Sequence, residues 1–165
     1  MRTAIFSLAY PPFVGGAEIA VKEITDRISG EDFYCFTHRF DATWKPREKI
    51  GNVEVMRMGK GVQNQGVYYG HLWQKILYVF QAWRAAERLH KQKPLEAIWA
   101  IMAAYGGLAA LLFKLRHPRI PLLLTLQEGD SEKHILRRVG IFYPFWRLLF
   151  RKADYIQSIS IYLAD

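Results

Sequence analysis

At 165 residues, 51% of them hydrophobic and 15% aromatic, the chain is long enough for one domain with a substantial core, and its composition excludes disorder. Its formal charge of +8, from 23 lysines and arginines against 15 acids, points toward an anionic partner such as lipid, nucleic acid or a phosphorylated ligand, with an unspecialised basic surface as the plain alternative. A single cysteine, Cys35, rules out a disulfide framework or a cysteine metal cluster, and no apolar run is long enough to span a bilayer.

The chain opens on an apolar run over 4–10, read as a first strand rather than a signal peptide because it is short and runs straight into a Pro- and Gly-rich turn. That turn contains Pro11, Pro12, Gly15 and Gly16, and Glu18 follows in the first turn of a helix over 17–28. The helix is expected to bury Ile19 or Ala20, Ile24 and Ile28, with Lys22, Glu23, Asp26 and Arg27 outside. Residues 33–37 form a second strand, 41–52 a surface excursion, and 53–58 alternate as a third strand.

The glycine-rich stretch 59–70 reads as a mobile loop. A long helix over 69–91 places Leu72, Ile76, Val79, Trp83 and Ala86 on one stripe, with Gln74, Lys75, Gln81, Arg84 and Arg88 facing away. A fourth strand over 97–101 leads into an apolar helix over 106–116. The uninterrupted apolar run 121–126 suits the buried middle of a parallel sheet and ends in the acidic loop Gln127, Glu128, Gly129, Asp130. A helix over 143–152, a sixth strand over 155–159 and the start of a helix over 160–165 complete the chain. Alternating strands and helices predict an α/β fold: a doubly wound, mostly parallel Rossmann-like sheet with helices on both faces.

The string Pro11-Pro12, Gly15-Gly16-Ala17-Glu18 after a first strand resembles the opening of the N-terminal domain of family 4 (group 1) glycosyltransferases, whose loop has the form Pro-Pro-x-x-Gly-Gly-Ala-Glu. The resemblance extends along the whole chain but covers about half of such an enzyme, one half of a GT-B fold. It implies an acceptor-binding domain at 1–165, with the C-terminal donor-binding domain absent from this chain. The whole enzyme would move a sugar from a nucleotide-sugar donor to a glycan or lipid-linked acceptor, as a hexosyltransferase-type activity that this half alone lacks. The nucleotide-sugar would be a co-substrate, with no bound cofactor and no metal. A non-catalytic Rossmann-like binding or regulatory module is the alternative.

Carried onto this sequence, the resemblance sets Gly15 and Gly16 beside the donor diphosphate, although on spacing alone the pair serves equally as a structural turn. The acceptor side is expected to draw on Glu18, Tyr105, Gln127, Glu128, Asp130 and His134. Glu18 has a simpler role in charging the first helical turn. Many family members carry a histidine where Gln127 stands, so an imidazole role there is in doubt, and Glu128 and Asp130 become the catalytic candidates, carboxylates that accept from sugar hydroxyls. Both also read as solvated loop charges. The mixture of aromatics and cations over 137–152, with Arg137, Arg138, Trp146, Arg147, Arg151 and Lys152, suits an anionic membrane surface and equally an apolar stripe packed on the sheet with its cations solvated; a cytoplasmic protein is expected, peripheral on the inner face of the membrane on the first of these readings. Nucleic acid is not expected, for want of any zinc-finger, homeodomain or RNP pattern.

Overall fold

The computed structural model describes residues 1–62, 72–127 and 143–158. Seven strands form one sheet: β1 (Arg2–Phe6), β2 (Asp32–His38), β3 (Arg47–Ile50), β4 (Val53–Met58), β5 (Ala97–Ile101), β6 (Leu122–Leu126) and β7 (Tyr155–Ser158), in the spatial order β3-β4-β2-β1-β5-β6-β7. All neighbours pair in parallel except β3 with β4. The central strands are buried runs, such as β1 and β5, as parallel strands covered on two faces must be.

Helix α1 (Gly16–Arg27) lies on one face, over Ile5, Cys35, Val53 and Val55. Helices α2 (Leu72–Gln92), α3 (Tyr105–Arg116) and α4 (Tyr143–Lys152) lie on the other, over Ala4, Phe6, Phe36, Ile98, Ala100 and Leu124. The chain steps from β1 to β2 in one direction and from β4 past β1 to β5, β6 and β7 in the other. Right-handed crossovers therefore put α1 on one side and α2, α3 and α4 on the opposite side.

Four expectations need correction. The excursion over 41–52 contains β3, which makes an antiparallel hairpin with β4 through Gly51, at φ 56°, and Asn52. Tyr155–Ser158 is consequently a seventh strand, not a sixth. Helix α1 buries Glu18, Val21 and Thr25, whereas Ile19, Ile24 and Ile28 are exposed. Its buried polar groups are satisfied locally: Thr25 Oγ1 donates to the Val21 and Lys22 carbonyls, both at 2.9 Å. Helix α2 buries Tyr78, Val79, Ala82, Ala86 and Leu89, which rotates the expected stripe and leaves Leu72 in solvent. The segment 160–165 and most of the 59–70 loop lie outside the described residues.

Candidate functional site

The site is organised by the strand at the middle of the sheet. Successive crossovers leave β1 and β5 on opposite faces, so these two neighbours bound the topological switch point, where open α/β sheets form a ligand crevice outside the strand ends. Phe6 pairs with Ala100 and Ile101 with Thr125, which brings the ends of β1, β5 and β6 to one edge. From β1 the chain passes through residues 7–15 into α1, and from β5 it passes through Met102, Ala103 and Ala104 into α3. Both helices begin at this edge, and neither N-cap residue, Gly15 or Ala104, makes a side-chain capping hydrogen bond. Two sets of backbone N–H groups and two positive dipole ends therefore face the same crevice.

The loop after β1 is held from the β2 side. His38 N donates to the Leu8 carbonyl at 3.0 Å, Thr37 Oγ1 donates to the same oxygen at 3.1 Å, and Phe13 packs its ring against Phe40. Sequence reasoning missed the strongest anchor, Arg57 near the end of β4. Its side chain is fully buried, and one of its guanidinium nitrogens, Nη2, donates to the Pro11 carbonyl at 2.7 Å. The other, Nη1, donates to the Lys45 carbonyl at 2.8 Å and to Glu48 Oε1 at 2.5 Å, and the guanidinium lies 5.6 Å from the Trp44 ring centroid. One cation thus ties the Pro-Pro loop to the β3–β4 hairpin. Only the alternation of β4, which puts residue 57 on the buried face with Val53 and Val55, hinted at this in the sequence.

The two glycines turn out to be inequivalent. Gly15 is the N-cap of α1, and a Cβ there would overlap Glu18 Oε2, because the Glu18 side chain folds back over the helix start. Glu18 is only 8% exposed, and burial raises the pKa of its carboxyl. It occupies the space that an open backbone at Gly15 was expected to leave. Gly16 is different: it is exposed, and a Cβ there would meet nothing within 4 Å. The fold has no steric need for glycine at 16.

Tyr105 is the first residue of α3, partly buried, with Lys75 Nζ 5.7 Å from its ring centroid. Gln127 directly follows β6 and is partly buried, which places it on the same edge. Just before α3, Met102 adopts φ 66°, a left-handed conformation that non-glycine residues rarely take. Its N–H is held by the Thr125 carbonyl at 2.9 Å. Thr125 Oγ1 in turn accepts from Trp99 Nε1 at 2.8 Å and lies 3.2 Å from Gln157 Oε1. This network ties together the carboxyl-terminal halves of β5, β6 and β7. Gly106 then lets α3 approach the sheet, since a Cβ there would sit 2.7 Å from the Phe6 carbonyl oxygen and 2.9 Å from that of Ile101.

His38, at the end of β2, is another group the sequence did not single out. Its ring is buried edge-on to Phe40, with Nδ1 lacking a hydrogen-bond partner among the described residues, and burial pushes its pKa down to about 4 with help from the Lys75 charge. It is a neutral core imidazole. Glu128, Asp130, His134, Arg137 and Arg138 lie outside the described residues. Among the described residues no group of three or more His, Cys, Asp or Glu is arranged to hold a metal ion, and no helix is long and apolar enough to cross a membrane.

No protein-family model matches the chain, and no curated protein matches it in sequence. Among solved structures it is similar to a sucrose-phosphate synthase from Thermosynechococcus elongatus, with a TM-score of 0.66 at 15% identity. The match covers 94% of this chain and 41% of that one, so the chain spans less than half of its structural neighbour. That likeness is one of fold: a Rossmann-like α/β domain resembling one half of a GT-B glycosyltransferase.

Proposed function

We propose that the chain is the acceptor-side half of a nucleotide-sugar-dependent glycosyltransferase of the family 4 kind, and that its partner is a second Rossmann-like half carrying most of the donor site. The observation that carries this reading is the pair of helix N-termini, α1 and α3, entering the crevice from opposite faces of adjacent strands, with no capping side chain on the N-cap residues Gly15 and Ala104. Such a crevice favours a diphosphate.

In sugar transfer, an acceptor hydroxyl forms a bond to the anomeric carbon as the bond from that carbon to the nucleoside diphosphate breaks, and the hydroxyl proton is lost. The departing diphosphate takes the bonding electrons, so negative charge grows on its oxygens. Oriented N–H groups and helix dipoles at that position stabilise the growing charge without having to reorganise. Gly16 keeps the lip of the loop free of a side chain, so the diphosphate can approach the backbone. Arg57 fixes the loop through the Pro11 carbonyl. Tyr105 and Gln127, with Glu128, Asp130 and His134 that follow Gln127 in the sequence, form the acceptor side, where the carboxylates accept from sugar hydroxyls and one of them receives the proton. The nucleotide-sugar is a substrate of this reaction, which needs no bound cofactor. The single cysteine, Cys35, is buried and unpaired, which suits a reducing cytoplasm.

The test is transfer of a radiolabelled sugar from a panel of nucleotide-sugars to glycan and lipid-linked acceptors. The chain is paired with a donor-binding half, on one polypeptide or added in trans. Transfer that requires both halves supports the reading. Nucleotide-sugar binding and turnover by neither half nor their mixture, for every donor, would overturn it in favour of a non-catalytic module.

A further inference from the structure

Helix α2 is apolar on two sides. Its inner side buries Tyr78, Val79, Ala82, Ala86 and Leu89 in the core. Its outer side carries a second line, on which Trp73, Leu77 and Phe80 are 74%, 56% and 48% exposed. These three advance by four residues and then three, and a further step of four reaches the exposed Arg84. A 4-3-4 spacing is the narrow seam of one helix packed along another, in contrast to the broader stripe by which a helix covers a core. Arg88, one turn on, is exposed beside the same line. The exposed isoleucines of α1, by contrast, fall at steps of five and four and make no such seam, and the charges beside them pair within the helix, Lys22 with Asp26 and Arg27 with Glu23. Helix α4 adds no second seam: Trp146 packs on Phe150 and the core, a correction to the expectation that it faces a membrane.

The order of residues along the seam selects its partner. It is aromatic toward the start of α2 and cationic toward the end, so it is complementary to itself run backwards. Two copies of α2 side by side and parallel would set Arg84 on Arg84 and Arg88 on Arg88, like charges at close range. Antiparallel copies related by a two-fold axis between Phe80 and Gln81 avoid this. Phe80 then meets Phe80 of the second copy at the axis, Leu77 meets the stem of Arg84, and Trp73 meets the guanidinium of Arg88. Positions 73 and 88 both lie about 11 Å from that axis along the helix, at 1.5 Å per residue. An arginine over a tryptophan face is a favoured cation–π pair, and the arginine stems cover apolar surface while their charged ends stay in water.

We propose that the seam is covered by a second copy of this chain, in a two-fold dimer whose α2 helices pack antiparallel through Trp73, Leu77, Phe80, Arg84 and Arg88. The contact is isologous and closes on itself, so it makes a dimer and not a fibre. Trp73 and Phe80 together offer roughly 280 Å² of exposed surface per copy. With Leu77 and the two arginine stems, a pair of copies buries on the order of 1,000 Å², the low end for a specific interface. The dimer is therefore a weak one that forms with rising concentration. This inference does not depend on the transfer reaction.

Sedimentation velocity of the 165-residue chain from about 1 to 500 µM tests it, and a shift from monomer to dimer across that range is expected. Trp73→Gln with Leu77→Gln should weaken dimerisation about tenfold or more, with an unchanged circular dichroism spectrum. Lys49→Gln, on β3 and outside the seam, should leave it unchanged. Direction is read by cross-linking. Leu77→Cys and Arg84→Cys are made in separate chains and oxidised in air, alone and mixed; the native Cys35 is buried and does not compete. Disulfide dimers should form about tenfold faster in the mixture than in either chain alone. A chain that stays monomeric throughout, or a dimer indifferent to the Trp73/Leu77 change, overturns the proposal. So does faster cross-linking of each variant with itself, the mark of parallel helices. Binding of a monomer to lipid vesicles that the Trp73/Leu77 change abolishes also overturns it, since a bilayer would then be what covers the seam.

Discussion

Replacing Arg57 by methionine removes the guanidinium that links the loop after β1 to the β3–β4 hairpin. Methionine fills much of the same volume but leaves the Pro11 and Lys45 carbonyls without a donor and Glu48 without its partner. Breaking a buried ion pair from one side costs about 3–5 kcal/mol, because the remaining charge is stranded. Here the lower end applies: the Glu48 side chain is 29% exposed and can turn to water, while Arg57 itself is fully buried. A loss of about 3 kcal/mol in a domain of this size lowers Tm by roughly 6–12 °C. The assay is thermal unfolding followed by circular dichroism, with Glu48→Gln and the double variant completing a cycle. Arg57→Lys should recover little, since an ammonium cannot reproduce the forked geometry that serves three oxygens at once. A shift for Arg57→Met below about 3 °C, or no coupling between positions 48 and 57, would refute the argument that this guanidinium anchors the loop.

Three further outcomes follow from the same structure. Gly106→Ala drives a methyl group against the Phe6 and Ile101 carbonyls, neither of which can move without shifting a central strand, so it should destabilise by about 2–3 kcal/mol in denaturant titration. Stability should also fall as pH drops from 6.5 toward 4: the unfolded chain takes a proton on His38 near the upper value and the folded chain only near the lower one. That window is worth roughly 3 kcal/mol, and His38→Phe should flatten it in pH-dependent unfolding. The Lys114–Asp154 pair acts further into acid, since Lys114 holds the Asp154 carboxyl below its ordinary pKa; stability tied to it is present above that ordinary value and lost as pH falls through the folded one, and Asp154→Asn should remove this part of the acid limb.

The parallel core was legible because its signals are local. Uninterrupted apolar runs at 97–101 and 121–126, each followed by a helical stretch, could only be buried parallel strands in a doubly wound sheet. The hairpin was missed because Arg47-Glu48-Lys49-Ile50 is too charged to read as a strand; its signal was the Gly51-Asn52 pair directly before the alternating run. The buried face of α1 was misjudged because hydrophobicity favoured its isoleucines. The helix instead buries Glu18 and Thr25, whose polar atoms find partners within their own turn or fold over Gly15. Arg57 was not legible at all, since its partners lie 46, 12 and 9 residues away and only the fold brings them together. The double glycine drew notice as a pair, yet the structure separates its members: Glu18 fills the space at Gly15, and Gly16 stands open.

That separation supplies the most direct test of the functional account. A methyl group at position 16 meets nothing within 4 Å, so Gly16→Ala should not lower the unfolding temperature. With the second half present, the same substitution should lower sugar transfer by about a hundredfold, because a side chain at the lip holds the donor diphosphate off the two helix ends. Undiminished transfer with no loss of stability would contradict the claim that the diphosphate approaches the backbone at this point.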